Sequence, residues 1–287
     1  MNFVLKSLVI LFCSVLFIQP VNAQKKYKIR KVAIDAGHGG KDPGAIGFIS
    51  QEKEINLKIA LRLGKMLQDS TGGAIQPIYT RTSDWYPTLK ERHAIANNAK
   101  ADLFISIHIN STAPRKEVIK TGTKKQKYYV GKGKKRKARY KTVPVYKTIY
   151  HKETATKGTE TYVLGLHRMD QKEEAIINYE DDKNFELMDM NDPTTKIIIN
   201  QYSQRYLAKS VSLASKIQSN FRLQGRNDLG VKQKGLEVLA GSAMPGVLVE
   251  FGFINNREEE AYLNSSKGIE ECAYSIYKAI IQYATIH

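Results

Sequence analysis

The chain has 287 residues, of which 42% are hydrophobic, 25% charged and 9% aromatic. That balance excludes a fully disordered chain, a collagen-like repeat and a polytopic membrane protein. The net charge of +17 is concentrated: residues 114–157 hold 16 Lys and Arg against two acids, Glu117 and Glu153, so the rest of the chain is a nearly neutral globular body.

Met1 to Gln24 carries one charge, Lys6, followed by the apolar run Ser7 to Ile18 and then Gln19-Pro20-Val21-Asn22-Ala23. A short positive start, an apolar stretch of about a dozen residues and a small final residue read as a secretory signal peptide, 1–23, cleaved after Ala23. An uncleaved membrane anchor is the alternative, but a span needs roughly 20 residues. Export to the periplasm, or more broadly the cell envelope, is therefore expected. Cleavage leaves Cys272 as the lone cysteine, so no intrachain disulfide is expected, and its apolar helical setting makes it a small core residue.

Alternating strands and helices follow. Lys31 to Asp35 is a short apolar run ending in Gly37-His38-Gly39-Gly40, a buried strand and tight turn. Ile55, Ile59, Leu63 and Leu67 recur at a spacing of four within Glu52 to Gln68, predicting a helix packed on a core. Strands are expected at Ile75 to Thr80, Leu103 to His108, Thr159 to Leu164, Leu236 to Leu239 and Val247 to Phe251. Helices are expected at Leu89 to Ala99, Tyr202 to Phe221 and Gly268 to Tyr283. This order predicts one layered α/β domain over 30–287, with a largely parallel twisted sheet of about six strands and helices on both faces.

His38 and His108 stand out among the six histidines because each sits where an apolar strand runs out, and α/β sheets bind ligands at the carboxyl ends of their strands. A metal site and two structural histidines are equally good readings of that pattern alone. His93, beside Arg92 on a helix, reads as solvent-facing. No H-E-x-x-H spacing occurs, so a metal site must be assembled from distant segments. Glu250 ends the apolar run Val247-Leu248-Val249, where a carboxylate is costly to bury alone. It is a general-base candidate.

IDAGHGGKDPGAIG (34–47), EKEINLKIALRL (52–63), YTRTSD (79–84), RHAIAN (92–97), ADLFISIHIN (101–110), GTETYVL (158–164) and VLVEFGFINN (247–256) resemble the zinc-dependent N-acetylmuramoyl-L-alanine amidases of the bacterial cell wall. The blocks follow the family order and cover most of residues 30–110 and 200–285. Ala36 replaces a common proline, and the basic insert lies outside the shared pattern. The resemblance implies zinc as cofactor and peptidoglycan as substrate. It implies zinc ligands at His38, Glu52 and His108, and the catalytic glutamate at Glu250. Without it, Glu52 reads as an acid favoured by the dipole of the first helical turn. Glu54 is then a solvated helix residue. Asp35 is either a partner orienting a ligand or a plain turn residue.

The 114–157 insertion interleaves basic residues with tyrosines. It reads as a solvated, flexible loop between two core strands, with adhesion to anionic wall polymers or lipid headgroups as the sharper alternative. Export makes nucleic acid the least expected partner. For residues 168–199 the resemblance implies a regulatory segment that an activator protein displaces, an acid such as Glu180 capping the metal; a surface helix and loop is the equal alternative. The expected function is hydrolysis of the amide between N-acetylmuramic acid and L-alanine, in wall turnover or daughter-cell separation. The alternatives are another zinc amidohydrolase acting on wall components, and a cationic wall-binding protein with a degenerate site.

Overall fold

The computed structural model describes residues 27–179, 189 and 192–286, so the expected signal peptide and Glu180 lie outside the described residues. In chain order come β1 (Lys31–Ala36), α1 (Glu52–Ser70), β2 (Gln76–Tyr79), α2 (Leu89–Asn98) and β3 (Leu103–Asn110). Then follow β4 (Arg115–Val130), β5 (Lys137–His151), β6 (Thr159–Leu164), α3 (Met169–Tyr179) and α4 (Pro193–Leu223). The chain closes with β7 (Asp228–Lys234), α5 (Glu237–Ala240), β8 (Gly246–Phe253), α6 (Arg257–Asn264) and α7 (Ser266–Ala284). No helix among the described residues is long and apolar enough to cross a membrane.

Six strands form the main sheet in the order β2-β1-β3-β8-β6-β7. Every neighbouring pair is parallel except β8 with β6. Two layers of helix bury it. The first face meets α1 through Ile55, Ile59 and Leu63, α4 through Leu213, Ile217 and Phe221, and α7 through Ile276 and Ile280. Cys272 is buried in that layer as a free thiol. The second face carries a smaller cluster, with Ala96 of α2, Met169 of α3 and Val238 and Leu239 of α5 against Ala33, Phe104 and Leu248 of the sheet. Fully burying one such aliphatic side chain contributes about 1.5–3 kcal/mol, so the first layer dominates stability and the thinner second layer leaves room for a cleft.

Local chemistry fixes the ends. Thr88 and Glu91 form a capping box that starts α2. Asn256 accepts from the backbone N–H of Glu258 and Glu259 to start α6. Glu260 on α6 accepts from the N–H groups of Phe48, Ile49 and Ser50, pinning the loop before α1.

Two expectations are corrected. Leu236 to Leu239 is not a strand: Leu236 caps the short helix α5, and the sixth strand is β7 just before it. β7 is an edge strand with exposed lysines and a glycine, so it lacks the apolar run that marks a buried strand, whereas buried Val238 and Leu239 mimic one. The basic insertion is not an irregular loop. β4 and β5 pair along their whole length as an antiparallel ribbon separate from the main sheet. Its many Thr, Val, Ile and Tyr residues are good strand formers, and a Gly-Lys turn closes it.

Candidate metal centre and cleft

The pleat sorts the site residues before any contact is considered. Successive strand residues face opposite sides of a sheet. β3 sends Leu103, Ile105, Ile107 and Ile109 into the first core, which turns Phe104, Ser106 and His108 to the second face. β8 likewise sends Val247, Val249 and Phe251 one way and Leu248 and Glu250 the other. In register, Asp35 lies opposite Ser106, His108 opposite Glu250, and Glu250 opposite Glu160 on β6. Apolar residues fill the start of this face and polar ones its carboxyl end.

His38, Glu52 and His108 meet there, each offering a ligand atom, all within 4.8 Å of one another. Glu52 is the first residue of α1, and its buried carboxylate holds both rings: Oε1 lies 3.2 Å from His38 Nε2 and 2.9 Å from His108 Nδ1. Oε1 also accepts from Ile109 N at 3.0 Å, and Oε2 accepts from Ala45 N at 2.8 Å. The far side of the His38 ring is fixed by Asp42, whose Oδ2 is 2.8 Å from Nδ1. That contact turns Nε2 toward Glu52, the role a carboxylate plays behind a metal-bound imidazole.

Charge follows geometry. Burial alone pulls the His38 imidazole down, but the hydrogen bonds and charge of Glu52 and Asp42 outweigh it and raise its pKa to about 9. Burial raises Glu52, and the two imidazoles more than reverse this, holding its carboxyl far below the usual range. A site this attractive to protons suits a cation. The side chains of His38 and His108 keep 24% and 18% exposure, so the cluster opens to solvent rather than lying sealed in the core. It borders a cleft of about 230 Å³ that Tyr86, Leu89, Leu236 and Val238 help to line.

The turn carrying His38 is held by two buried arginines. His38 has φ 61°, in the left-handed region that costs a non-glycine residue about 1–3 kcal/mol. Arg92 donates to Ala36 O at 2.9 Å and His38 O at 2.8 Å, while Arg81 donates to Ala36 O at 2.8 Å and Gly37 O at 2.9 Å. Arg92 Nη1 is also 2.6 Å from Asp35 Oδ1, forming a buried ion pair. Burial would raise Asp35; Arg92, Ser106 and Thr80 together hold it below its ordinary value. Space is as tight as charge. A Cβ on Gly37 would sit 2.4 Å from the His108 ring, and one on Gly44 2.6 Å from Glu52 Oε2.

Glu250 stands apart electrostatically. Its Oε2 is buried with no hydrogen-bond partner. Burial, reinforced by the charges of Glu52 and Glu160 and opposed by His108, pushes its carboxyl up to about 7. Neighbouring Glu160 is instead fully partnered, by Asn110 Nδ2 and Tyr162 OH, each at 2.6 Å, and by Lys232 Nζ. One carboxylate is committed and the other is left reactive.

All four predicted site residues thus reach one end of one sheet face. Glu54 is exposed, and Asp35 is a buried partner of Arg92 rather than a turn residue or a ligand's neighbour. His93 does not simply face solvent, since its Nε2 lies 3.1 Å from Val238 O. Asp42, Glu160, Arg81 and Arg92 carry roles that the sequence reading did not assign. Glu160 sits in a buried strand between Thr159 and Thr161, without the preceding apolar run that marked Glu250. Within 168–199, Lys172 on α3 donates to Leu239 O, Ser242 Oγ and Met244 O, anchoring α3 on the second face. None of the described residues of 168–199 lines the cleft.

Acids and imidazoles gathered at the carboxyl ends of a mostly parallel sheet, facing an open cleft, form the active-site layout of an α/β enzyme. The N-acetylmuramoyl-L-alanine amidase model (Amidase_3) matches residues 32–282, so the chain belongs to that family and its substrate is peptidoglycan. The chain is similar to the uncharacterized protein YqiI of Bacillus subtilis, 30% identical over 88% of this chain and 84% of that one. It is also 30% identical to the probable N-acetylmuramoyl-L-alanine amidase AmiB of Haemophilus influenzae, over 88% of this chain and 51% of that one, about half its length. Among solved structures, an N-acetylmuramoyl-L-alanine amidase from Clostridium difficile superposes with a TM-score of 0.57 and 26% identity, covering 89% of this chain and 96% of that one.

Proposed function

We propose that His38, Glu52 and His108 hold a zinc ion and that Glu250 moves the proton in hydrolysis of the amide between the lactyl group of N-acetylmuramic acid and L-alanine. The observation that carries this reading is the unpartnered, buried oxygen of Glu250, in register with His108. Two imidazoles and one carboxylate with a further position open to solvent are the donor set of a hydrolytic zinc site. Bound zinc supplies Lewis acidity toward the scissile carbonyl and makes a water acidic near neutral pH.

The protein's own groups do the rest. Glu52 bridges the two rings and Asp42 fixes the His38 tautomer, so both imidazoles are oriented before a cation arrives. Glu250 accepts the proton of the attacking water as the carbon–oxygen bond forms. It returns that proton to the departing nitrogen as the carbon–nitrogen bond breaks. A carboxyl raised toward 7 suits both halves of the task, accepting at one step and donating at the next. Glu160 beside Glu250 has both oxygens taken up by three donors, Asn110, Tyr162 and Lys232. The products are a lactyl carboxylate on the glycan and a stem peptide with a free L-alanine amine. A substrate outside the cytoplasmic membrane supports export by residues 1–23 and a role in wall turnover or daughter-cell separation.

The test is Glu250→Gln. Zinc content is expected to hold while peptidoglycan cleavage falls by about 10²–10⁴, the share carried by general acid–base catalysis. Mass spectrometry of parent digests is expected to find stem peptides with free N-terminal alanine, lost on chelation. A zinc-loaded variant that cleaves at the parent rate overturns the assignment.

A further inference from the structure

The β4–β5 ribbon has two unlike faces, and the register shows which residues share each. Directly opposed residues of an antiparallel pair lie on one face. On one side stand the rungs Lys116–Tyr150, Lys120–Tyr146 and Lys127–Tyr140, together with Lys125 opposite Thr142. No acid lies on that face. The tyrosines of these rungs are 63%, 59% and 63% exposed, far more than packing would leave, and Tyr129, opposite Ala138, is a fourth on the same face, 50% exposed. The other face holds Glu117, paired with His151 at 2.5 Å, and the half-buried Val143, Val145 and Ile149. The bulge between Lys120 and Gly122 keeps the two sets in phase along the ribbon.

The ribbon is also rooted beside the site. It leaves the sheet at the end of β3, just past His108, and returns into β6. Asn255, buried at the end of β8, donates from Nδ2 to Thr112 O at 3.1 Å and to Lys152 O at 2.7 Å. Its Oδ1 accepts from Thr112 N at 3.2 Å, and its backbone O from Thr154 N at 2.9 Å. One side chain thus ties the segments on either side of the ribbon to the turn that follows the strand carrying Glu250.

We propose that the Lys–Tyr face of residues 115–151 is a second binding surface for peptidoglycan itself, holding a glycan strand next to the cleft. This rests on the amidase reading of the cleft. Exposed tyrosine rings stack on the apolar faces of sugar rings, as aromatic platforms do for other ring polymers. The lysine ammoniums meet the carboxylates of stem peptides. The charge carriers in these rungs are all lysines, point charges without the planar fork that arginine brings to phosphate, and Arg136 at the tip is already stacked on Tyr129. A lipid surface fits poorly. The ribbon tip, Gly131 to Lys137, has no large apolar side chain, whereas an interfacial element buries an apolar face. A linear ribbon about 50 Å long, from sixteen residues at roughly 3.3 Å each, instead follows a linear polymer.

The experiment is cosedimentation of the full mature chain with purified sacculi stripped of phosphodiester-linked polymers, at near-physiological salt. One variant combines Tyr140→Thr, Tyr146→Thr and Tyr150→Thr with Lys116→Gln, Lys120→Gln and Lys127→Gln; threonine keeps strand propensity. A charge-matched control carries Lys124→Gln, Lys141→Gln and Lys147→Gln on the opposite face. The first is expected to bind at least about tenfold more weakly, since three exposed ion pairs together amount to about one decade. The control is expected to change less than threefold. Both are expected to cleave a small soluble muropeptide at the parent rate, and circular dichroism reports that each is folded. Equal losses from the two faces, parent binding that vanishes once phosphate polymers are stripped, or stronger competition by anionic vesicles than by muropeptides each overturns the proposal. Failure of the parent to cleave the muropeptide while the face-specific binding loss persists would instead sink the amidase reading and leave the surface standing.

Discussion

Replacing Arg92 by methionine keeps most of its apolar stem and removes the charge that faces Asp35. In the parent, Asp35 Oδ1 accepts from Arg92 Nη1 at 2.6 Å and Thr80 Oγ1 at 2.7 Å, and Oδ2 accepts from Ser106 Oγ at 2.7 Å. The two hydroxyl bonds survive the change; the ion pair does not. Breaking a fully buried pair by removing one partner costs about 3–5 kcal/mol, because the remaining charge stays desolvated. The carbonyls of Ala36, His38 and Pro87 also lose a donor, although Ala36 O keeps Arg81 Nε, so about 4 kcal/mol is expected at pH 7.5. The pH dependence has a definite sign. In the parent, Asp35 is held below its unfolded pKa, so its contribution is complete above about pH 4 and is lost only as pH falls through the folded value. In the variant, burial acts unopposed and the folded pKa rises above the unfolded one, so the folded variant gains a proton, and relative stability, as pH drops. Urea denaturation at pH 7.5 and 4.5 measures this, and the gap between the two proteins is expected to narrow at the lower pH. Adding Asp35→Asn to Arg92→Met is expected to recover part of the loss. A deficit below about 1 kcal/mol at pH 7.5, or one that is unchanged at pH 4.5, refutes the reasoning.

Asp42→Asn removes the charge behind His38 but leaves an amide at the same place. Zinc affinity is expected to fall about 10–100-fold with little loss of stability, and competition titration against a chromophoric chelator reads it. Because Glu52 and Asp42 raise His38 to about 9, metal binding to the parent at pH 7 is expected to expel about one proton, seen as a buffer-dependent binding heat, and less from Asp42→Asn. Gly37→Ala puts a methyl where the His108 ring lies, 2.4 Å away; zinc binding is expected to fall at least tenfold, and a variant that binds like the parent would show that the ring has room to move.

Much of the fold was legible because burial leaves a periodic trace. Val32 to Ile34 and Leu103 to Ile105 are short apolar runs because helices cover both faces of the sheet, and Ile55, Ile59 and Leu63 repeat at helix spacing. His38, His108 and Glu250 could be singled out for a related reason: each interrupts an apolar strand at its end. Glu52 could not, because an acid in a first helical turn is ordinary, and only the resemblance distinguished it from Glu54. β7 stayed hidden because an edge strand needs little apolar surface. Arg92 and Arg81 were opaque for a different reason. An arginine on a helix or after a strand reads as solvated, and nothing local reveals that the carbonyls of 36–38 converge on it. The ribbon's two faces depend on a register set by its bulge, which composition does not encode.

Glu250 and His108 are carried by adjacent strands that leave no slack, and this decides where the chain tolerates added length. One residue inserted before Glu250 within β8 would turn it into the α1, α4 and α7 layer and bring an apolar neighbour into the cleft, undoing the whole row at once. The 114–157 segment enters after the last site residue of β3 and rejoins before Glu160. Growth at that junction changes no pleat, so the catalytic layer and the projecting arm can lengthen, shorten or change charge independently above a shared base, where Asn255 and Asn256 hold Thr112, Lys152, Thr154 and Thr156.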